Sequence, residues 1–311
     1  MTKDVKIGIS AAASWAWGTS LIVGMQVAQQ KGLAAWAIWA AANALTLALF
    51  GLLTRRGFLG RAVFDRKPVK YAALLIQGFC LVIQMNIIFE VLRGMGFGAW
   101  ASYGAASGVG VVFTLWMYRH GLATSVKTDV WQWGLTMTAI PVIIGMGLIE
   151  SVPRIVFPES SWADILWGVW SACILFAGPI GDVQHWQRAE AAGRGSRAYR
   201  YGAFFFALYM LMILVMAGFE FSPAMNVVLL LAVLCVTSST IDSIAVALHE
   251  VRGRRTGTAV ALGICLFWGI FVEVGVLDLW SYAGVYRVAF ALAVLGMAVY
   301  TAREKRYVES D

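Results

Sequence analysis

Residues 227–248, VVLLLAVLCVTSSTIDSIAVAL, decide how this chain is read. A helix of this apolar character rises 1.5 Å per residue and is long enough to cross ~30 Å of hydrocarbon. Yet its middle, TSSTIDS at 237–243, carries the hydroxyls of Thr237, Ser238, Ser239, Thr240 and Ser243 and the carboxylate of Asp242. An ionisable side chain at membrane depth is costly and marks a functional site by default. Val236, Ser239, Thr240 and Ser243 recur at i, i+3, i+4 and i+7, so they share one helical face. The plain alternative is that the hydroxyls bond back to carbonyls one turn earlier and join helices.

The rest of the chain agrees that lipid is the solvent. Hydrophobic residues make up 60% of it and charged residues 13%, with a mean hydropathy of +0.74, which is outside the range of soluble globular chains. Ten apolar spans can be placed, at 7–29, 33–53, 70–92, 97–118, 129–150, 163–186, 199–219, 224–248, 257–277 and 280–301. They predict one all-α membrane domain over 1–311, with connections too short for a soluble catalytic domain. Lys3 and Lys6 before the first apolar run, and small residues arriving as early as Ala11 to Ser14, predict a retained first helix rather than a signal peptide.

The formal charge of +7 raises nucleic acid as a partner, and the placement of the basic residues argues against it. In the ten-span scheme 20 of the 24 Lys and Arg fall on one side, leaving Lys31, Arg93, Arg154 and Arg287 on the other beside Glu150, Glu159, Asp164, Glu220 and Asp278. The positive-inside rule then places both termini in the cytoplasm and the chain in the plasma membrane. Cys80, Cys173, Cys235 and Cys265 lack metal-ligand spacing and read as small buried hydrophobes. His120, His185 and His249 fall at predicted cytoplasmic helix ends, with no HExxH or nucleophile elbow, so no enzyme is expected.

Ten spans divide into halves of five, about 7–150 and 163–302, and transporters are often built from such inverted repeats with interrupted helices at matching places. The first span contains SWAWGTSLIVG, with Gly18 and Gly24; the sixth contains FAGPIGD, with Gly178, Pro179 and Gly181. Gly18 alone is adequately explained by close helix packing. Gly178, Pro179 and Gly181 together predict a break, because proline removes a backbone donor and the glycines weaken the helix around it. Unwound backbone in a membrane persists where it lines a cavity, so the break predicts one.

Three stretches carry a resemblance. TSVKTDVWQWGLTM (124–137) resembles the TD-x-x-Q segment that opens the fifth core helix of the sodium:solute symporter family. GDVQHWQRAEAA (181–192) is similar to that family's segment after the broken sixth core helix, and STIDS (239–243) to its S-T-x-D-S on the eighth. Their order and spacing fit the ten spans over nearly the whole chain. The resemblance implies a LeuT-type fold of five plus five inverted helices with the first and sixth broken, here without the family's flanking helices. It also implies a sodium ion held by the hydroxyls of Ser239 and Thr240 and the carbonyls of Val236, Ser14 and Trp17. A stand-alone core of this kind also resembles the membrane input portion of some sensor kinases.

The fold implied by the resemblance puts a solute between helices one, three, six, eight and ten. The polar and aromatic candidates there are Trp15, Trp17, Gln77, Gln84, Asn86, Trp170, Ser171, Tyr282, Tyr286 and Arg287, although ordinary packing or the interfacial belt explains most of the aromatics. Where the family often has an aromatic gate after the break, this chain has Pro179. The leading expectation is a sodium-coupled symporter of a small polar solute in the lipid bilayer. The rivals are a sensor of symporter ancestry that binds without transporting, and a sodium-independent passive pore.

Overall fold

The computed structural model describes residues 1–55, 59, 61–150, 152–193 and 196–308. Arg56 and Arg194, counted above among the basic loop residues, lie outside them. The elements in chain order are α1 (Lys3–Trp15), α2 (Gly18–Arg55), α3 (Arg61–Phe64), α4 (Lys67–Gly94), α5 (Ala99–Tyr118), α6 (Leu122–Ile149), α7 (Trp162–Gly181), α8 (Val183–Ala191), α9 (Ser196–Ala217), α10 (Pro223–Arg252), α11 (Arg254–Phe267), a 3-10 turn over Trp268–Phe271 and α12 (Val276–Val308). The chain is all helical among the described residues, apart from an isolated β-bridge pairing Arg154 with Phe219.

Among the described residues seven helices, α2, α4, α6, α7, α9, α10 and α12, are long and apolar enough to cross a membrane, against the ten spans expected. The chain is thus a multi-pass, all-α membrane protein.

Local sequence sets the helix ends. Ser161 and Asp164 form a reciprocal capping box that starts α7. Ser222 caps α10 by accepting from the Met225 amide, with Pro223 in the first turn where no donor is missed. Within α2, Gly32 adopts φ +79°, ψ 176°, which only glycine tolerates well, and this redirects the chain between 18–31 and 33–55. A Cβ at Gly32 would also lie 2.2 Å from the Pro158 carbonyl oxygen, so the turn is held against the loop before α7.

Two interruptions organise the centre. α1 ends at Trp15, and Ala16 and Trp17 intervene before α2 starts at Gly18. α7 ends at Gly181, and the extended residue Asp182 (φ −95°, ψ 103°) alone separates it from α8. The expected break at Gly178 to Gly181 is corrected in position, since the helix runs through Pro179 and yields one residue later. Proline frees the carbonyl four residues back, and here the Thr46 hydroxyl of α2 donates to that Leu175 oxygen at 2.8 Å. With that acceptor satisfied the helix continues. The glycines serve close approach instead: a Cβ on Gly178 would sit 2.3 Å from the Trp15 indole, and one on Gly181 would sit 2.8 Å from Ile76.

Candidate functional site

Side chains satisfy the broken backbone. The Ser14 carbonyl, in the last turn of α1, accepts from Trp17 Nε1 at 3.0 Å and from Gln184 Nε2 at 3.2 Å. Gln84 of α4 accepts from the Gly18 amide at 3.1 Å, and Trp186 Nε1 donates to the Ile180 carbonyl at 2.9 Å. Each is a group that a helix end leaves without an intrahelical partner. Gln184 follows the second break and Ser14 precedes the first, so one hydrogen bond ties the two joints together.

Asp182, at the second joint, is fully buried and paired with Arg287 of α12, whose Nη2 lies 3.1 Å and 3.3 Å from the two carboxylate oxygens. Gln77 Nε2 approaches the same carboxylate at 3.4 Å, and Arg287 also donates to Cys80 Sγ at 3.0 Å. The guanidinium lies 4.1 Å from the centre of the Trp17 ring, a cation–π contact with the first joint. Gln77 Oε1, Gln84 Nε2, Gln184 Oε1 and Arg287 Nε are buried and have no protein hydrogen-bond partner among the described residues. Unused donors and acceptors in a buried, charge-balanced setting are what a small polar ligand would complete.

A second cluster joins four helices: Ser10 of α1, Ser125 and Asp129 of α6, Arg188 of α8 with the Gln184 carbonyl one turn earlier, and Ser239 and Ser243 of α10. Arg188 Nη2 pairs with Asp129 Oδ2 at 2.6 Å, with both side chains fully buried. The same guanidinium donates to Ser10 Oγ at 2.7 Å, Ser243 Oγ at 2.8 Å, Ser125 Oγ at 3.3 Å and the Gln184 carbonyl at 3.1 Å. Asp129 further accepts from Ser10 and, at 2.6 Å, from Ser239. Asp242 takes hydroxyl donors from Ser125 (2.9 Å), Thr128 (2.8 Å) and Ser243 (3.2 Å), which binds α10 to α6.

The sequence candidates divide accordingly. Trp17, Gln77, Gln84 and Arg287 come together at the two joints. Trp15 is buried but packs as a wedge, its indole N–H donating to the Asn43 carbonyl. Ser171 is buried with its hydroxyl unpartnered. Trp170, 43% exposed, and Tyr282, 68% exposed, face outward and are not part of the cluster. Asn86 instead donates to the Val274 carbonyl, away from the joints. Gly18 is the first residue of α2, where a Cβ would press on Thr237 and Ile87.

The oxygens assigned to sodium are engaged within the protein. Ser14 O has both lone pairs filled by the donors above, Trp17 O accepts from the Ser20 amide, and Thr240 Oγ1 bonds back to Val236 O at 3.0 Å inside α10. Ser239 gives its proton to Asp129, whose charge Arg188 already neutralises. A sodium ion needs several free oxygens around one point. The Ser14 and Val236 carbonyls are thus taken, and although the Ser239 and Thr240 hydroxyls keep lone pairs while they donate, Ser239 is held on the Asp129–Arg188 ion pair, so this set does not close around an ion in this structure.

Three further corrections concern charges and histidine. Arg188, read as a cytoplasmic loop charge, and Arg287, counted on the opposite side though also a candidate on the tenth span, are both buried in ion pairs; removing one from each side leaves the basic asymmetry in place. His185, expected at a solvated helix end, is fully buried against Trp15, Phe50 and Tyr199. The sequence did hold a signal for Asp182: it is a carboxylate inside the predicted span 163–186, as Asp242 is inside 224–248. No protein-family model matches this chain, and no curated protein is similar enough to match it.

Proposed function

We propose that the chain is a secondary transporter that moves a small polar solute across the plasma membrane by alternating access. The ten spans would form two inverted halves of five, 7–150 and 163–302, in a LeuT-type arrangement with cytoplasmic termini. The observation that carries this reading is the pair of helix interruptions, at Ala16–Trp17 and at Asp182, bonded to each other and surrounded by buried polar groups. A helix broken in lipid is justified by what its broken end binds or lets move. The joints give α1 against α2, and α7 against α8, a place to bend without losing packing elsewhere. Arg287 and Asp182 balance one another, so the centre favours a solute that is neutral or zwitterionic and carries both donors and acceptors.

Proteoliposomes loaded with a panel of unlabelled small polar metabolites test this by counterflow of the labelled counterpart. Saturable exchange of at least one class, lost in Asp182→Asn, is the expected result. Saturable binding without exchange for every class would convert the reading to that of a sensor, and leak that never saturates would convert it to that of a pore.

A further inference from the structure

We infer that the guanidinium of Arg188, bonded to Ser10 and Ser243 one helical turn from the Ser14 and Ser239 expected to hold sodium, is a built-in cation that takes over the ion's structural work, so that the Ser239 site takes no sodium ion. The inference concerns the four-helix cluster and holds whether or not a solute is carried.

The function of a cation here would be to gather α1, α6 and α10 around one positive charge. Arg188 already does so, with donors directed to Ser10 on α1, to Ser125 and Asp129 on α6, and to Ser243 on α10. Its planar fork presents five N–H donors, so a single side chain can hold three helices at fixed angles, which a lysine ammonium on a flexible stem cannot do as well. The guanidinium is fully buried and cannot exchange with solvent as an ion does. It approaches from α8, the short helix that begins at the Asp182 joint, and Gln184 one turn earlier fills the Ser14 carbonyl. The consequence for Ser239 is direct. Its hydroxyl lies 2.6 Å from Asp129 on the opposite oxygen to the one Arg188 holds, so an added cation there would face a carboxylate whose charge is already compensated. It would also meet the positive field of Arg188.

The test is thermal unfolding of the full-length protein in detergent, in sodium chloride against choline chloride at equal ionic strength. Wild type is expected to melt at the same temperature in both salts. Arg188→Ala, which removes the cation and opens its space beside Asp129, is expected to melt lower in choline and to regain part of the loss in sodium, and Asp129→Asn in that background is expected to abolish the regain. A wild-type midpoint raised by sodium, and no longer raised after Ser239→Ala, would overturn the inference even if Arg188→Ala fails to fold. A folded Arg188→Ala protein as indifferent to sodium as wild type would overturn the idea that one cation replaces the other.

Discussion

Arg188→Met should destabilise the protein by about 3–5 kcal/mol, the usual cost of removing one partner from a buried ion pair. The loss has two parts. Asp129 would be left without its counter-charge in a site fully shielded from water, and Ser10, Ser125, Ser243 and the Gln184 carbonyl would each lose a donor. Asp129→Leu alone should cost a similar amount, because it strands the guanidinium. The double substitution should cost much less than the two losses added together, since a buried pair replaced by apolar groups of similar size is often close to neutral. Unfolding free energies from reversible denaturation in mixed micelles, assembled into a double-mutant cycle, measure this. Losses that simply add would mean that the two side chains do not act as a pair.

The second large effect is at the joints. Arg287→Met should cost about 3–5 kcal/mol by leaving Asp182 unpaired, and it should also remove saturable uptake. Arg287 touches both interruptions, pairing with Asp182 at the second and lying over the Trp17 ring at the first. Arg287→Lys distinguishes charge from shape. The ammonium can still neutralise Asp182, but the cation–π contact with Trp17, about 2 kcal/mol when desolvated, should weaken. Arg287→Lys is therefore expected to fold with an intermediate loss while uptake falls nearly as far as in Arg287→Met. Uptake that survives in Arg287→Lys at the wild-type rate would show that the contact with Trp17 plays no part in transport.

Much of this architecture was legible in the chain before any coordinates. Apolar length predicted an all-α membrane protein of ten spans, of which seven helices among the described residues are long and apolar enough to cross, and the Gly18 signal fell within two residues of the Ala16–Trp17 interruption. The second interruption was found one residue beyond the predicted stretch, because whether a proline breaks a helix depends on a hydroxyl elsewhere. Here Thr46 lies 129 positions from the carbonyl it satisfies. The ion pairs were missed for the same physical reason. Asp129 and Arg188 are 59 positions apart, and Asp182 and Arg287 are 105 apart. A count of basic residues near span ends treats each as a solvated charge, whereas a buried partner on another helix changes its meaning. What the sequence did carry was spacing. Ser10 and Ser14, Ser125 and Asp129, Gln184 and Arg188, and Ser239 and Ser243 each lie four apart, so each pair puts two polar groups on one face of its helix.

Cys80 offers the most direct measurement of alternating access, because the thiol sits beside Arg287 and Asp182 and is fully buried in this structure. A variant keeping Cys80 and carrying serine at Cys173, Cys235 and Cys265 would be reconstituted in sealed vesicles of both orientations. A small, membrane-impermeant, hydrophilic methanethiosulfonate would then be added from outside. If the joints open the centre alternately to the two sides, Cys80 is labelled in both vesicle populations and a transported solute slows the reaction. Cys80 that resists labelling from both sides, or that reacts from one side only under every solute condition, would contradict the account: the polar centre would then be a closed core or a one-sided pocket.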